Sequence, residues 1–232
     1  MPTFDEIADR LSAPVAEVMR TQGPARRVRP GGEIDDDTVL ELLSLANHAS
    51  DDHRRCEFVV VRSPEVKHQL ARANRQGWSI YKRVLRTRSR EDTLLESRQW
   101  LADHFEDVPV IVVACVRGRR PLFPAIGASA FYGSAFPAIQ NLLLAARAAG
   151  LGAARTTLPL WSRWEARRTL GLPRRVTPVA VIPIGWPRGT PEPARVPPVG
   201  NVTHLDRWGH QPYRARPVGN TQKGRTSSAE KA

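Results

Sequence analysis

Residues 131–187 read FYGSAFPAIQNLLLAARAAGLGAARTTLPLWSRWEARRTLGLPRRVTPVAVIPIGWP. The stretch begins with an uncharged helical pattern, and its continuous apolar run from Val176 to Ile184 is typical of a buried strand. Between the two, Gly152 to Leu158 predicts a third strand or an edge segment. Ser162-Arg163-Trp164-Glu165 has the spacing of a capping box, which predicts a short helix that ends at Leu170. The stretch therefore predicts a helix, an edge strand, a short helix and a buried strand, in this order.

The uncharged run extends upstream and covers Pro121 to Ala146, 26 positions without a charged side chain. This length raises the question of a membrane span. Three prolines and the amides of Gln140 and Asn141 interrupt the run, so we do not expect a membrane-spanning helix. Its small residues instead predict a central helix that is enclosed by protein on all sides and ends at Gly150 or Gly152.

The N-terminal half supplies further helices and two strands. Asp35 to Thr38 provide a cap and negative charge before a helix whose apolar residues, from Val39 to Ala46, share one face. The charged segment from Arg83 to Arg98 is interpreted as an exposed helix or lid. The other predicted elements are a helix over Phe4–Val18 interrupted near Pro14, a buried strand at Phe58–Val61, a helix that begins at Ser63 and Pro64 and runs through Leu70 towards Val84, and a buried strand at Pro109–Val116.

The composition excludes several classes of protein. The 232 residues are 41% hydrophobic, which is enough for an ordinary core and excludes disorder throughout. The net charge of +12 comes almost entirely from arginine, with lysine at only four positions. No basic stripe interleaved with aromatic residues accompanies this charge, so we do not expect nucleic acid as a partner.

The two cysteines, Cys56 and Cys115, are too isolated for a disulfide framework or a zinc site, and they favour a reducing compartment. The first 22 residues carry four acidic side chains and no apolar run, which argues against a secretory signal. The protein is therefore expected to be cytoplasmic. The common sequence motifs of serine hydrolases, P-loop nucleotide-binding proteins, zinc proteases and dinucleotide-binding folds are absent, and no histidine pair predicts a metal site.

The motifs AIQNLLLAARAAGLG (138–152), TTL (156–158), LGLP (170–173) and PIGWP (183–187) occur in a specific order and spacing. In these motifs the chain resembles the nitroreductase family of flavin-dependent NAD(P)H oxidoreductases, over roughly residues 20–210. The resemblance implies an α+β sandwich in which a mostly antiparallel sheet is flanked by helices. It also implies a homodimer with a long central dimerisation helix at Phe131–Ala149 and a C-terminal arm exchanged with the partner.

The resemblance further implies one FMN per subunit at the dimer interface. Hydride would pass from NADH or NADPH through flavin N5 to a nitroaromatic, a quinone or a similar small-molecule acceptor. The flavin itself supplies the chemistry in such enzymes, so no catalytic side chain is expected. The Trp78–Trp100 segment is the expected source of substrate specificity, because loops and lids carry specificity on a rigid scaffold.

The family motif places the cofactor phosphate near the N-terminus of the domain. Arg27 matches the second basic position of the phosphate clamp, and Gly23 stands where the first arginine is expected. Arg26 is a further candidate for the phosphate, and Arg195 represents the C-terminal basic element. Each of these arginines could instead belong to an ordinary solvated loop.

Two other segments are expected to contact the flavin. Thr156, Thr157 and Leu158 match the segment whose backbone faces the flavin ring. Ser50 is the one plausible survivor of the polar loop before the first strand, here residues 49–57. This loop is about two residues shorter than the family pattern and lacks its Asn, Gln, Pro and Trp. An alternative is therefore a protein of this fold without redox turnover, which sequesters or senses flavin or binds none.

These observations predict a core at residues 1–189, an extended arm at 190–216 and a disordered tail at 217–232. Four prolines between 191 and 198 prevent regular structure in the arm, while Val202, Leu205 and Trp208 need a surface to cover them. The tail is too polar to order itself.

Deletion of residues 217–232 should leave the fold unchanged, because a segment that buries no surface contributes nothing to stability. The melting temperatures of the truncated and full-length chains are expected to agree. A large loss of thermal stability in the truncated chain would show that the tail is docked.

Overall fold

The computed structural model describes residues 2–49, 56–85, 92–118, 125–189 and 196–214. The chain divides into a larger unit, Met1–Ala194, and a smaller unit, Arg195–Ala232. Of the sequence-predicted features, Ser50, Arg195 and the 217–232 tail lie outside the described residues.

A four-stranded antiparallel sheet forms the centre of the larger unit, with the strand order β1-β2-β4-β3. The two inner strands are buried almost throughout, as their apolar sequences predict. The register of β2 and β4 shifts next to Ala114, where Pro178 is accommodated at the irregularity. The strands are β1 (Cys56–Val61), β2 (Val110–Arg117), β3 (Gly152–Ala153) and β4 (Val176–Gly185).

Helices cover both faces of this sheet. Alternate residues of β2 point to opposite faces, so that Val112 packs with α3 and α7 while Val113 packs with α4, α5 and α8. The arrangement confirms the predicted α+β sandwich. The helices are α1 (Phe4–Arg10), α2 (Val15–Thr21), α3 (Asp36–Asn47), α4 (Pro64–Leu85), α5 (Asp92–Asp103), α6 (Ala125–Gly133), α7 (Phe136–Ala148) and α8 (Arg163–Thr169).

Two helix starts follow the predicted caps. The Asp35 carboxylate accepts a hydrogen bond from Thr38 N at 2.6 Å at the start of α3. Ser162 caps α8 by accepting from Glu165 N at 3.5 Å. Each acceptor satisfies a helix N-terminal amide that has no partner within the helix.

Strand β1 is an edge strand rather than the buried strand expected at Phe58–Val61. Only its two ends, Cys56 and Val61, are buried, and Val60 is 38% exposed. Glu57 accepts a hydrogen bond from Arg117 Nε on the neighbouring strand at 2.6 Å. The apolar run was misleading because edge and central strands share the same residue types.

The uncharged run forms two helices and not the single central helix that was expected. Helix α6 ends at Gly133, and α7 begins at Phe136 with Pro137 in its first turn. A proline is favourable there because the first amides of a helix have no intrahelical partner. Helix α7 is buried against α3 and the sheet, whereas Ile126 of α6 is 75% exposed in the single chain.

The smaller unit contains a 3-10 turn at Val199–Asn201 and a closed loop after it. His204 stacks on Trp208 with ring centroids 4.2 Å apart, and Leu205 N donates to His210 O at 2.8 Å. The placement of this unit on a partner subunit stays a prediction.

The larger unit carries the only helix of the described chain with more than 20 residues, α4, and it is strongly charged. Among the described residues, no helix combines the length and the apolarity that crossing a membrane requires.

Both thiols are free and lie on opposite faces of the sheet, Cys56 with α3 and α7 and Cys115 with α4 and α5. Burial raises the pKa of Cys56 to about 11 and that of Cys115 to about 12. We therefore expect both to be neutral and inaccessible at pH 8. A disulfide-exchange thiol reagent should label no cysteine in the native chain and two per chain after denaturation.

The raised pKa values of Cys56 and Cys115 also determine how the stability changes with pH. The folded pKa values lie above those of unfolded cysteine, about 8.5. The cysteine contribution to the free energy of unfolding is therefore complete below this pH and decreases as the pH rises above it. Rapid labelling of the native protein at pH 8 would contradict the burial of both groups.

Gly77 lets α4 approach the backbone that follows β3. A Cβ at position 77 would lie 2.8 Å from the carbonyl oxygen of Leu158, which cannot rotate away. Gly77→Ala should therefore lower the free energy of unfolding by about 1–2 kcal/mol, since an overpacking cost of about 1–3 kcal/mol exceeds the helix propensity gained. Urea unfolding measures the difference.

Gly133→Ala is the matched control, because no atom lies within 4 Å of its Cβ position. This variant should be neutral or more stable by up to about 1 kcal/mol. Equal stability of the two variants would show that the approach of α4 to Leu158 is not tight.

Candidate functional site

Residues 24–29 form an extended segment that runs along the end of β4. Arg29 N donates to Trp186 O at 2.7 Å, and Arg188 N donates to Arg27 O at 3.0 Å. An isolated antiparallel bridge lies between these two contacts. The predicted phosphate-clamp segment is therefore held by main-chain hydrogen bonds, independently of its side chains.

Two glycines of the AAGLG motif allow the chain that follows α7 to pack against this segment. Gly150, with φ +80°, ends α7 in the left-handed region, where glycine is favoured. Gly152 then starts β3, and a Cβ there would lie 2.7 Å from the Cβ of Ala25. Ala25 N donates to Ala153 O at 3.1 Å. The close contact requires the absence of a side chain at position 152.

Successive side chains of an extended segment point to opposite sides, and here they enter two different cavities. Arg27 lines a cleft of about 580 Å³, called here the tryptophan cleft. Arg26 lines a cavity of about 410 Å³, called here the arginine pocket. The tryptophan cleft is lined by Arg27, Trp78, Lys82, Leu95, Glu96, Gln99, Trp100 and Asp103. The arginine pocket is lined by Gln22, Pro24, Arg26, Phe136, Ile139, Gln140, Leu143, Ala153, Ala154 and Arg155.

A hydrogen-bonded network between α4 and α5 fixes one wall of the tryptophan cleft. Trp78 Nε1 donates to Gln99 Oε1 at 2.7 Å, and Lys82 Nζ donates to the same oxygen at 3.1 Å. Gln99 Nε2 donates to the Asp103 carboxylate at 2.9 Å. The buried indole of Trp78 therefore has a fixed orientation.

Charges of both signs surround the mouth of this cleft. Arg27 lies 3.9 Å from Glu96 in an exposed pair, which contributes little to stability. The guanidinium of Arg188 lies 5.3 Å from the ring centre of Trp100. A flat aromatic ligand with an anionic end would meet two indoles and several cations here, together with the carboxylates of Glu96 and Asp103.

The arginine pocket holds two cations on an apolar floor. Burial lowers the pKa of the Arg26 guanidinium, and the positive charge of Arg98 lowers it further. The guanidinium of Arg155 lies 5.0 Å from the centre of the Phe136 ring. The two predicted phosphate ligands Arg26 and Arg27 thus line separate cavities.

Most of the backbone at Thr156–Leu158 is already engaged. Thr156 exchanges both main-chain hydrogen bonds with Val181, at 2.9 and 2.8 Å, and its Oγ1 accepts from Leu158 N at 3.3 Å. Thr157 O accepts from Leu160 N. Within the described part of the chain, the amide of Thr157 has no acceptor, so it is the one main-chain donor that this segment can offer a ligand.

The sequence did not single out several residues that line the cavities. Gln99 and Lys82 fell inside a segment identified only as charged or as a lid, and Arg155 carried no signal at all. The described residues contain no group of His, Cys, Asp and Glu side chains that could hold a metal ion.

Residues 25–186 match the sequence model of the nitroreductase family. A relative from Methanothermobacter thermautotrophicus, named NADH dehydrogenase/NAD(P)H nitroreductase, is 26% identical over an alignment of 204 residues. The match covers 84% of this chain and 87% of the relative. A Parabacteroides distasonis structure of the same name has a TM-score of 0.60 at 21% identity, covering 84% of this chain and 98% of that one.

Iodotyrosine deiodinase, bound to FMN and 3-iodo-L-tyrosine, is a further neighbour in fold. Its TM-score is 0.64 at 19% identity, covering 84% of this chain and 98% of that chain. At this identity the likeness shows the shared fold. Because the family match covers more than half of the 232 residues, this chain belongs to the nitroreductase family.

Proposed function

We propose that this protein is an FMN-dependent oxidoreductase that uses NADH or NADPH and reduces a nitroaromatic, a quinone or a similar acceptor. The observation that carries the proposal is the tryptophan cleft, with Arg27 at its edge and two indoles in its wall. The names of the relatives support an oxidoreductase, and FMN is present in the deiodinase structure.

The residues of the cleft fit a flavin in size and chemistry. Its volume of about 580 Å³ lies in the range of small-molecule sites, roughly 300–1,000 Å³. Trp78 and Trp100 offer apolar surface, and Arg27 offers a charge-assisted hydrogen bond to phosphate. The carboxylates of Glu96 and Asp103 oppose a nearby phosphate, and the positive charges of Arg27 and Lys82 offset these two negative charges.

The chain's own residues would bind, orient and shield the cofactor. Arg27 would neutralise the phosphate together with Arg195, and the amide of Thr157 would donate a hydrogen bond. Trp78, fixed by Gln99, would exclude water from the cleft. Bound FMN would supply the redox chemistry by accepting hydride from the nicotinamide and passing it to the acceptor.

The close approach of α4 to the 156–158 segment supports this assignment. Gly77 touches the carbonyl oxygen of Leu158, and the next residue, Trp78, lines the cleft. The free donor at Thr157 is therefore one residue away from a point of contact with the helix that forms the cleft wall. Arg26 lines the other cavity, and we leave it out of the phosphate site.

We further propose that the protein is a cytoplasmic homodimer that uses the Phe131–Ala149 region and the arm from 191 to 208. Helix α7 is largely buried within its own chain, so this proposal rests on the exposed apolar residues of the helices and the arm. They are Phe136 at the start of α7, Ile126 in the preceding helix α6, and Val196, Val199 and Trp208 in the arm. A second copy would remove this surface from water.

Arg27→Ala and Arg195→Ala should each weaken FMN about 10- to 30-fold, because each removes a charged partner of the phosphate. The lower part of the usual range applies to Arg27, since its side chain is half exposed. Riboflavin, which lacks the phosphate, should be nearly indifferent to both changes. Titration of FMN and riboflavin into the apoprotein, followed by flavin fluorescence, measures both affinities.

Arg26→Ala is the control, since Arg26 lines a different cavity and should leave FMN affinity unchanged. A loss with Arg26→Ala and none with Arg27→Ala would move the phosphate to the arginine pocket. Failure of the unmodified protein to bind FMN would discard the enzyme in favour of a redox-inactive member of the fold.

Sedimentation velocity at micromolar concentration should show a dimer, because a second copy would remove exposed apolar side chains such as Ile126 and Trp208 from water. Ile126→Glu should shift the equilibrium towards monomer. A monomeric unmodified protein would contradict the dimer.

A further inference from the structure

The arginine pocket holds two guanidinium groups that have no anionic partner among the described residues. Neither Arg26 nor Arg155 forms an ion pair in the described part of the chain. Arg98 adds a third positive charge close enough to lower the pKa of Arg26. Like charges at this separation repel one another, and an anion bound at Arg26 would relieve the repulsion from Arg98.

Arg26 is also half-buried, so that water can compensate its charge only in part. Removing a cation from water without a partner is unfavourable, and the unfavourable energy is recovered when an anion binds. The desolvation that lowers the Arg26 pKa therefore has the direction expected of an anion site, in addition to the geometry of the cavity.

The two cations are positioned by backbone that cannot easily move apart. Arg26 directly follows Ala25, whose amide donates a hydrogen bond to Ala153 O at 3.1 Å. Arg155 lies two residues after Ala153 in the sequence. The ring of Phe136 supports the Arg155 guanidinium at 5.0 Å. Binding would require little reorganisation of the backbone, since the main chain beside both arginines is held before the ligand arrives.

The rest of the lining describes the body of the ligand. Ile139 and Leu143 of α7 provide an apolar floor, and the amides of Gln22 and Gln140 add uncharged hydrogen-bonding groups. The volume of about 410 Å³ admits a small molecule rather than a polymer.

We propose that the arginine pocket binds a small organic anion, with its phosphate or carboxylate group between Arg26 and Arg155 and its apolar body on α7. The site is separate from the tryptophan cleft and does not depend on the FMN assignment. Phosphate and carboxylate share the required chemistry, since both form bidentate bonds with guanidinium.

Calorimetric titration of the full chain with phenyl phosphate tests the proposal, with benzoate to compare the two acids and inorganic phosphate to measure the contribution of the apolar body. One phenyl phosphate per chain is expected, and it should bind more tightly than inorganic phosphate. Arg155→Gln should weaken it about 10-fold, the lower end for a hydrogen bond to a charged group. Arg155 is exposed, so this substitution should not impair folding.

Arg174→Gln is the matched control, because it removes the same charge from an exposed position that lines neither cavity. Equal weakening by both variants would overturn the proposal in favour of general electrostatic attraction. Absence of phenyl phosphate binding would also overturn it.

Repeating the titration with FMN-saturated protein distinguishes the two cavities. Unchanged phenyl phosphate binding supports a separate site, while loss of binding overturns it by showing that the pocket is part of the flavin site. If the protein binds no FMN, the titration of the unliganded chain still tests the anion site in the arginine pocket. The proposed function and the anion site can therefore fail independently.

Discussion

The 24–29 segment lies against the ends of β3 and β4 because position 152 has no side chain. The Cα of Gly152 leaves room for Ala25, and the Ala25 amide donates a hydrogen bond to the carbonyl of Ala153 in β3. Both cavities follow from this contact. An extended segment held by its backbone must direct Arg26 and Arg27 to opposite sides, towards α7 in one case and towards α4 and α5 in the other.

The fold could be predicted where local chemistry decides the structure. Asp35 and Ser162 cap their helices as expected, and the apolar run of β4 is buried at every position. The prediction was wrong where the structure depends on the position of a strand in the sheet or on a local break between two helices. The sequence of β1 resembles that of a central strand, although a neighbour on one side only leaves Val60 exposed. The break between α6 and α7 is marked by Gly133 and Pro137, but the uncharged sequence on both sides of it favoured a single helix.

The candidate site could be predicted less completely than the fold. The spacing of the family motif favoured Arg27 over Arg26, and the structure places Arg27 in the tryptophan cleft. That the two adjacent side chains line different cavities becomes visible only once the backbone is known to be extended. Gln99 lies 21 positions from Trp78, and their hydrogen bond exists only because α4 and α5 pack together. Arg155 becomes notable only beside Arg26.

The edges of the described sheet limit how copies of this chain can aggregate. On one side β1 carries the Glu57–Arg117 pair, and on the other β3 pairs over only two residues before the 24–29 segment takes over. Charged side chains and very short strands both discourage another strand from adding to an edge. Runaway polymerisation through continued β-pairing is therefore disfavoured, although β2 and β4 are as apolar as segments that form fibrils when exposed.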